Sequence, residues 1–95
     1  MSEERQLGSI VFHHLKTWPE HFEAVTHPDP ERRKTVEIRY DDRKFSVGDI
    51  LHLHEWDPVT ENFTGEETIR RVTHILKGQP WLPEGYVALS IRKVV

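Results

Sequence analysis

Lys34, Glu37 and Arg39 bring an amine, a carboxylate and a guanidinium into one short stretch, KTVEIR. Side chains alternate along a strand, so Glu37 and Arg39 share a face, and Lys34 stands where the strand begins, free to turn to either side. A lysine desolvated beside a carboxylate can work as a base or nucleophile, and the carboxylate can carry protons. The same residues on a wet surface are ion pairs that contribute little. A pocket decides between these readings. Glu55 is a second carboxylate of interest, because it is in phase with Leu51 and Leu53 in ILHLHEW and points to the core if they do.

The seven histidines raise metal chemistry, with His52 and His54 on one strand face. Zinc requires a third protein ligand, and neither an HExxH helix nor a cysteine pair supplies one. His13, His14 and His74 complete no recognisable set. The expectation is therefore solvated or internally satisfied imidazoles, with no metal and no cofactor. There is no GxSxG, no glycine-rich phosphate loop and no serine beside an identifiable base.

Aromatic faces can stack on a nucleobase. Trp18 and Trp56 are assigned to the core, since a domain this small has few large residues to fill it. Trp81, between Pro80 and Leu82-Pro83, is the stacking candidate, and Tyr40 and Tyr86 offer further rings. Arg32, Arg33, Lys34, Lys44, Arg70 and Arg71 form a basic rim or, equally, a scattered solvated surface.

The elements that must position these groups follow from patterning. Residues 1–8 are polar and read as a flexible N-terminus; residues 9–95 read as a single domain. Ser9 to Leu15 is the first strand. Thr17-Trp18-Pro19-Glu20 spells a capped helix start, with Trp18, Phe22 and Val25 at helical spacing, and Pro28 stops the helix. In the strand after Lys34, Val36, Ile38 and Tyr40 are the face expected to bury. An Asp41-Asp42 turn, a strand Ile50–Trp56, a connection Glu61–Gly65 and a strand Glu67–Leu76 come next. An irregular loop from Gly78 to Gly85 then leads to a last strand, Tyr86–Ile91, with Val87, Leu89 and Ile91 inward. About five to six short strands and one main helix give a small α+β domain built on a partly closed β-barrel.

The 95 residues carry a net charge of −3, which removes any global attraction for a phosphate backbone and leaves only local patches. The absence of cysteine excludes disulfides and thiolate chemistry. No long apolar run or secretory signal is visible, so a cytoplasmic location without membrane association is expected. The oligomeric state is left open.

Several segments in order resemble a known family. His14-Leu15-Lys16, WPEHFEAV from Trp18, KTVEIR from Lys34, DDRKFSVGDILHLHEWD from Asp41, FTGEE from Phe63 and GYVALSI from Gly85 are similar to the DUF3850 family, within the ASCH group of PUA-like domains. The resemblance covers nearly all of the chain after residue 12 and implies a PUA-like β-barrel with a flanking helix. The wider group contains suspected RNA-binding modules and small amidohydrolases that remove the acyl group from N4-acetylcytidine. In those hydrolases a GxKxxTxR-like segment supplies a lysine and a threonine, assisted by a glutamate elsewhere. Lys34 and Arg39 match its lysine and arginine, Glu37 stands at the threonine position, and HPDPERR replaces the glycine.

The resemblance thus implies an amidohydrolase of N4-acylated cytosine nucleosides with Lys34, Glu37 and Glu55 as catalytic candidates. Arg39, Lys16, His14, Tyr40 and Trp81 are then the substrate-binding candidates. The alternative it allows is a non-catalytic RNA-binding domain that reads a single-stranded or modified base. A plain interaction module, whose charged strand keeps an edge soluble, is the third possibility.

Overall fold

In the computed structural model, which describes residues 10–94, runs of β-branched and aromatic residues form five strands. They are β1 (Phe12–Thr17), β2 (Val36–Tyr40), β3 (Ile50–Asp57), β4 (Asn62–Lys77) and β5 (Tyr86–Lys93), with one helix, α1 (Pro19–Val25). The expected flexible segment 1–8, and Ser9, lie outside the described residues. The strands form one sheet in the order β1-β3-β4-β5-β2, parallel only between β1 and β3. Irregularities at His54/Trp56 and Val72/His74 interrupt the β3–β4 and β4–β5 ladders, the kind of local extra twist that curls a sheet. The result is a curled half-barrel in which β1 and β2, the two ends of the strand order, approach each other. Arg39 of β2 donates to the Lys16 carbonyl of β1 at 3.1 Å across that seam.

Leu51 and Leu53 of β3, Val72 of β4, and Val87, Leu89 and Ile91 of β5 face inward with Leu15 of β1 and form the core. The short helix packs on β3 and buries Phe22 and Val25, its two inward residues. It begins at Pro19, where a missing N–H costs nothing, and ends as Thr26 Oγ1 donates back to the Phe22 carbonyl at 2.8 Å. Gly85 takes φ +87°, a conformation that favours glycine, and its carbonyl accepts from Asp41 N where β2 meets β5.

Five expectations need correction. The first strand begins at Phe12 rather than Ser9 and runs on through Thr17. Thr17 therefore closes a strand instead of capping the helix; Trp18 is the residue before Pro19, and no side chain caps the first turn. Trp18 is 52% exposed, not core, because it sits at the strand-to-helix corner outside the helix's inward stripe. The fourth strand starts at Asn62, so most of the expected connection is strand, and Phe63 and Asn62 pair with Trp56 and Asp57 of β3. Arg70 belongs to no basic rim: it is 4% exposed and donates to the Val25 carbonyl at the end of α1 at 2.8 Å. Burial, followed by nearby Arg33, lowers its pKa from the ordinary arginine value. No helix among the described residues is long and apolar enough to cross a membrane.

Candidate functional site

The face of β2 expected to bury is the exposed one. Ile38 and Tyr40 lie outward at 57% and 58% exposure and Val36 at 37%, while Glu37 is only 3% exposed. Strand pairing explains the reversal. Residues directly opposite one another in a ladder share a face, and β5 sets Leu89 against Glu37 and Val87 against Arg39. With Val87 and Leu89 committed to the core, Glu37 and Arg39 must point inward, and Val36, Ile38 and Tyr40 outward.

A buried carboxylate requires partners, and Glu37 has two cations. Lys34 Nζ donates to Glu37 Oε2 at 2.9 Å, and Arg39 donates to Oε1 from Nε at 3.2 Å and from Nη2 at 2.9 Å. Arg39 also donates to Thr17 Oγ1 at 3.3 Å. The arginine thus closes the seam between β1 and β2 while it orients the carboxylate. Lys34 is fixed from the other side, its backbone N donating to the Ala24 carbonyl and its Nζ lying 3.4 Å from His21 Nδ1. The side chains of Lys34 and Arg39 are 24% and 22% exposed, so both cations can still meet a ligand.

That ligand has room. A concavity of about 540 Å³ is lined by Lys16, Thr17, Trp18, His21, Lys34, Val36, Glu37, Ile38 and Arg39. The indole of Trp18, pushed out of the core, is one of its walls, and such an amphipathic ring is suited to stacking. A second concavity, about 440 Å³, shares Lys16 and Arg39 and continues past His14, Tyr40, Arg43, His54 and Phe63. Lys16 Nζ lies 4.0 Å from the centroid of the Trp56 ring, a cation–π contact.

The structure brings Lys34, Glu37, Arg39 and Lys16 together in one concavity, with His14 and Tyr40 in the adjoining one. It separates the other two candidates. Glu55 is half-buried, accepts from Thr64 Oγ1 at 2.7 Å and lines a different concavity beside α1 with Pro19, Phe22 and Thr26. Trp81 is exposed on the loop after β4 and lines neither concavity at the seam. Sequence reasoning missed Trp18 and His21. The signal for Trp18 was its position directly before Pro19, which makes it a corner residue rather than a helical one.

The histidine expectation also changes. Parallel pairing sets His14 of β1 against His52 of β3, and His54 is two residues on along the same face. His14, His52 and His54 each offer a ring nitrogen, all within 4.8 Å of one another. His14 Nδ1 lies 3.1 Å from His54 Nε2, and Glu67 accepts a hydrogen bond from His52 Nε2. Burial, then His52, lowers the pKa of His54; Glu67 opposes the shift and His14 adds to it. The third imidazole that zinc chemistry needs is thus present, from a strand whose neighbour the sequence did not disclose.

The chain is similar to a protein of Escherichia phage P2 described as "Uncharacterized 12.9 kDa protein in GpA 3'region", with 38% identity over 77 residues. That alignment covers 81% of this chain and 64% of the phage protein, so the chain spans just under two thirds of its relative's length. The family model "Domain of unknown function (DUF3850)" matches residues 12–91, a span that holds β1 to β4, most of β5 and the whole seam, and the chain belongs to the DUF3850 family.

Proposed function

We propose that this domain is a cytoplasmic amidohydrolase of small N4-acylated cytosine nucleosides, related to the ASCH group of PUA-like domains. One observation carries the reading: the Lys34 amine and the Glu37 carboxylate meet at 2.9 Å inside a concavity walled by Trp18. A nearly buried carboxylate on an ion-paired strand face is a costly arrangement for stability alone, which supports a role in chemistry. A flat pyrimidine suits the indole, and about 540 Å³ is within the range of small-molecule pockets.

In the proposed reaction a water molecule adds to the acyl carbon while Glu37 takes its proton. The oxygen of the tetrahedral intermediate is held by the Lys34 ammonium, which already points into the concavity. Glu37 then returns the proton to N4 as the C–N bond breaks, so the products are the carboxylic acid and the free cytosine amine. Arg39 holds Glu37 in place, and Trp18, Lys16 and His21 hold the nucleoside. The test is turnover of N4-acetylcytidine by the native protein and by Lys34→Ala. Turnover that depends on the lysine is expected; equal turnover, or none with either protein, ends the proposal for that substrate.

A second reading is a non-catalytic RNA-binding domain that holds a single-stranded or modified base. It is favoured by the way the two concavities join at Lys16 and Arg39 and extend to Arg43, a longer track than a nucleoside requires. This reading predicts affinity for single-stranded RNA that falls steeply with salt. Binding that is absent, or indifferent to salt, across a panel of RNAs counts against it.

A further inference from the structure

His14, His52 and His54 stand on the outer face of the sheet, away from the core side held by Leu51 and Leu53. The rings crowd: His52 and His54 have centroids 4.1 Å apart, and His14 lies 5.0 and 5.3 Å from them. A hydrogen bond between two imidazoles uses one proton and one lone pair, so the third ring must find other company. Protonating one ring beside two others is unfavourable, since like charges would face each other at these ring separations. A metal ion resolves the crowding, because it accepts all three lone pairs at once.

The spacing fits such an ion. Zinc–nitrogen bonds of ~2.0–2.1 Å in tetrahedral geometry separate ligand nitrogens by about 3.3 Å. The nitrogens here lie within 4.8 Å of one another and one pair is at 3.1 Å, so modest ring rotations close the set. Glu67 of β4, registered opposite His54, bonds His52 at Nε2 and leaves the Nδ1 lone pair of that ring free. A carboxylate behind a histidine is the arrangement that fixes the tautomer and orientation of a metal-bound ring.

We infer that His14, His52 and His54 form a site for one divalent transition-metal ion of the zinc class, with Glu67 orienting His52. Three imidazoles select zinc, cobalt, nickel or copper over magnesium and calcium, which prefer oxygen. Three protein ligands leave a coordination position for water or a ligand atom. His14 and His54 line the 440 Å³ concavity with Lys16 and Arg43, so the metal sits at the rim of a cationic recess suited to an anionic ligand. The site is independent of the proposed deacylation, since none of the three histidines lines the concavity of Lys34 and Glu37.

The experiment is calorimetric titration of the full chain, free of any polyhistidine tag, with zinc chloride, backed by the visible spectrum of the cobalt complex. One equivalent is expected, with a tetrahedral cobalt spectrum. His14→Ala and His54→Ala should each weaken zinc binding by about a hundredfold or more, and Glu67→Gln by about tenfold. His74→Ala, exposed on β4, should bind as the native chain does. Circular dichroism checks each variant, and His14, itself exposed, provides a change that the fold tolerates if His54→Ala does not fold. No zinc binding by the native chain, or native affinity in His14→Ala, overturns the inference.

Discussion

β5 and β2 are hydrogen-bonded neighbours that obey opposite rules. Both alternate apolar and polar residues, yet β5 buries its apolar set, Val87, Leu89 and Ile91, while β2 buries Glu37 and exposes Ile38 and Tyr40. The register makes the two choices one, because whichever side Leu89 takes, Glu37 takes as well. β5 thus acts as structure and forces its neighbour to bring a carboxylate inward, where Lys34 and Arg39 offset its desolvation. A strand that violates its own pattern beside one that keeps it is where stability has been exchanged for something else.

Variants on the two strands should separate these roles. The largest effect belongs to Leu89→Ala, which opens a cavity in the core and should cost about 2–5 kcal/mol in urea denaturation. Next comes Lys34→Ala: turnover of N4-acetylcytidine should fall about a hundredfold, close to 2.7 kcal/mol of transition-state stabilisation, with a stability loss smaller than that of Leu89→Ala because Arg39 still holds the carboxylate. If the lysine variant instead unfolds as readily as Leu89→Ala, the ion cluster is scaffold and the comparison collapses.

Arg70→Met sharpens the point from another buried cation. Arg70 donates to Thr68 Oγ1, to the Ile69 carbonyl and to the Val25 carbonyl, and it does not line the concavity of Glu37. Its loss should cost about 2 kcal/mol of stability in thermal or urea melts while the remaining folded protein keeps its turnover. The smallest effect is expected for Ile38→Thr on the outward face of β2, within about 0.5 kcal/mol in the same melts. A large loss there would mean that the outward face is covered in solution.

The half-barrel with one helix was legible because β3 and β5 carry clean alternation and Pro19 and Pro28 bracket the helix. Lys34, Glu37 and Arg39 were legible as a chemical group from spacing alone. The facing of β2 was not, since a strand's own alternation cannot say which face its neighbour will impose. Trp18 read as core because a small domain has few large residues, but the helix begins after it and leaves it at the corner. The third histidine was hidden for a different reason: His14 meets His52, 38 residues further along, only through a parallel pairing of strands separated by a helix and another strand. Glu55 kept phase with Leu53, yet it is the last residue of the β1 pairing, opposite Thr17 and at the irregularity in β3, and its carboxylate turns to Thr64.

The central claim is that the carboxylate of Glu37 is buried to move a proton rather than to hold the strand. Replacing it by the isosteric amide keeps the shape and removes the proton shuttle. The decisive measurement is the kcat and KM of Glu37→Gln against those of the native protein on N4-acetylcytidine. The account predicts kcat lowered by about a hundredfold with KM little changed. Native turnover in the amide variant, or no turnover by the native protein, contradicts it.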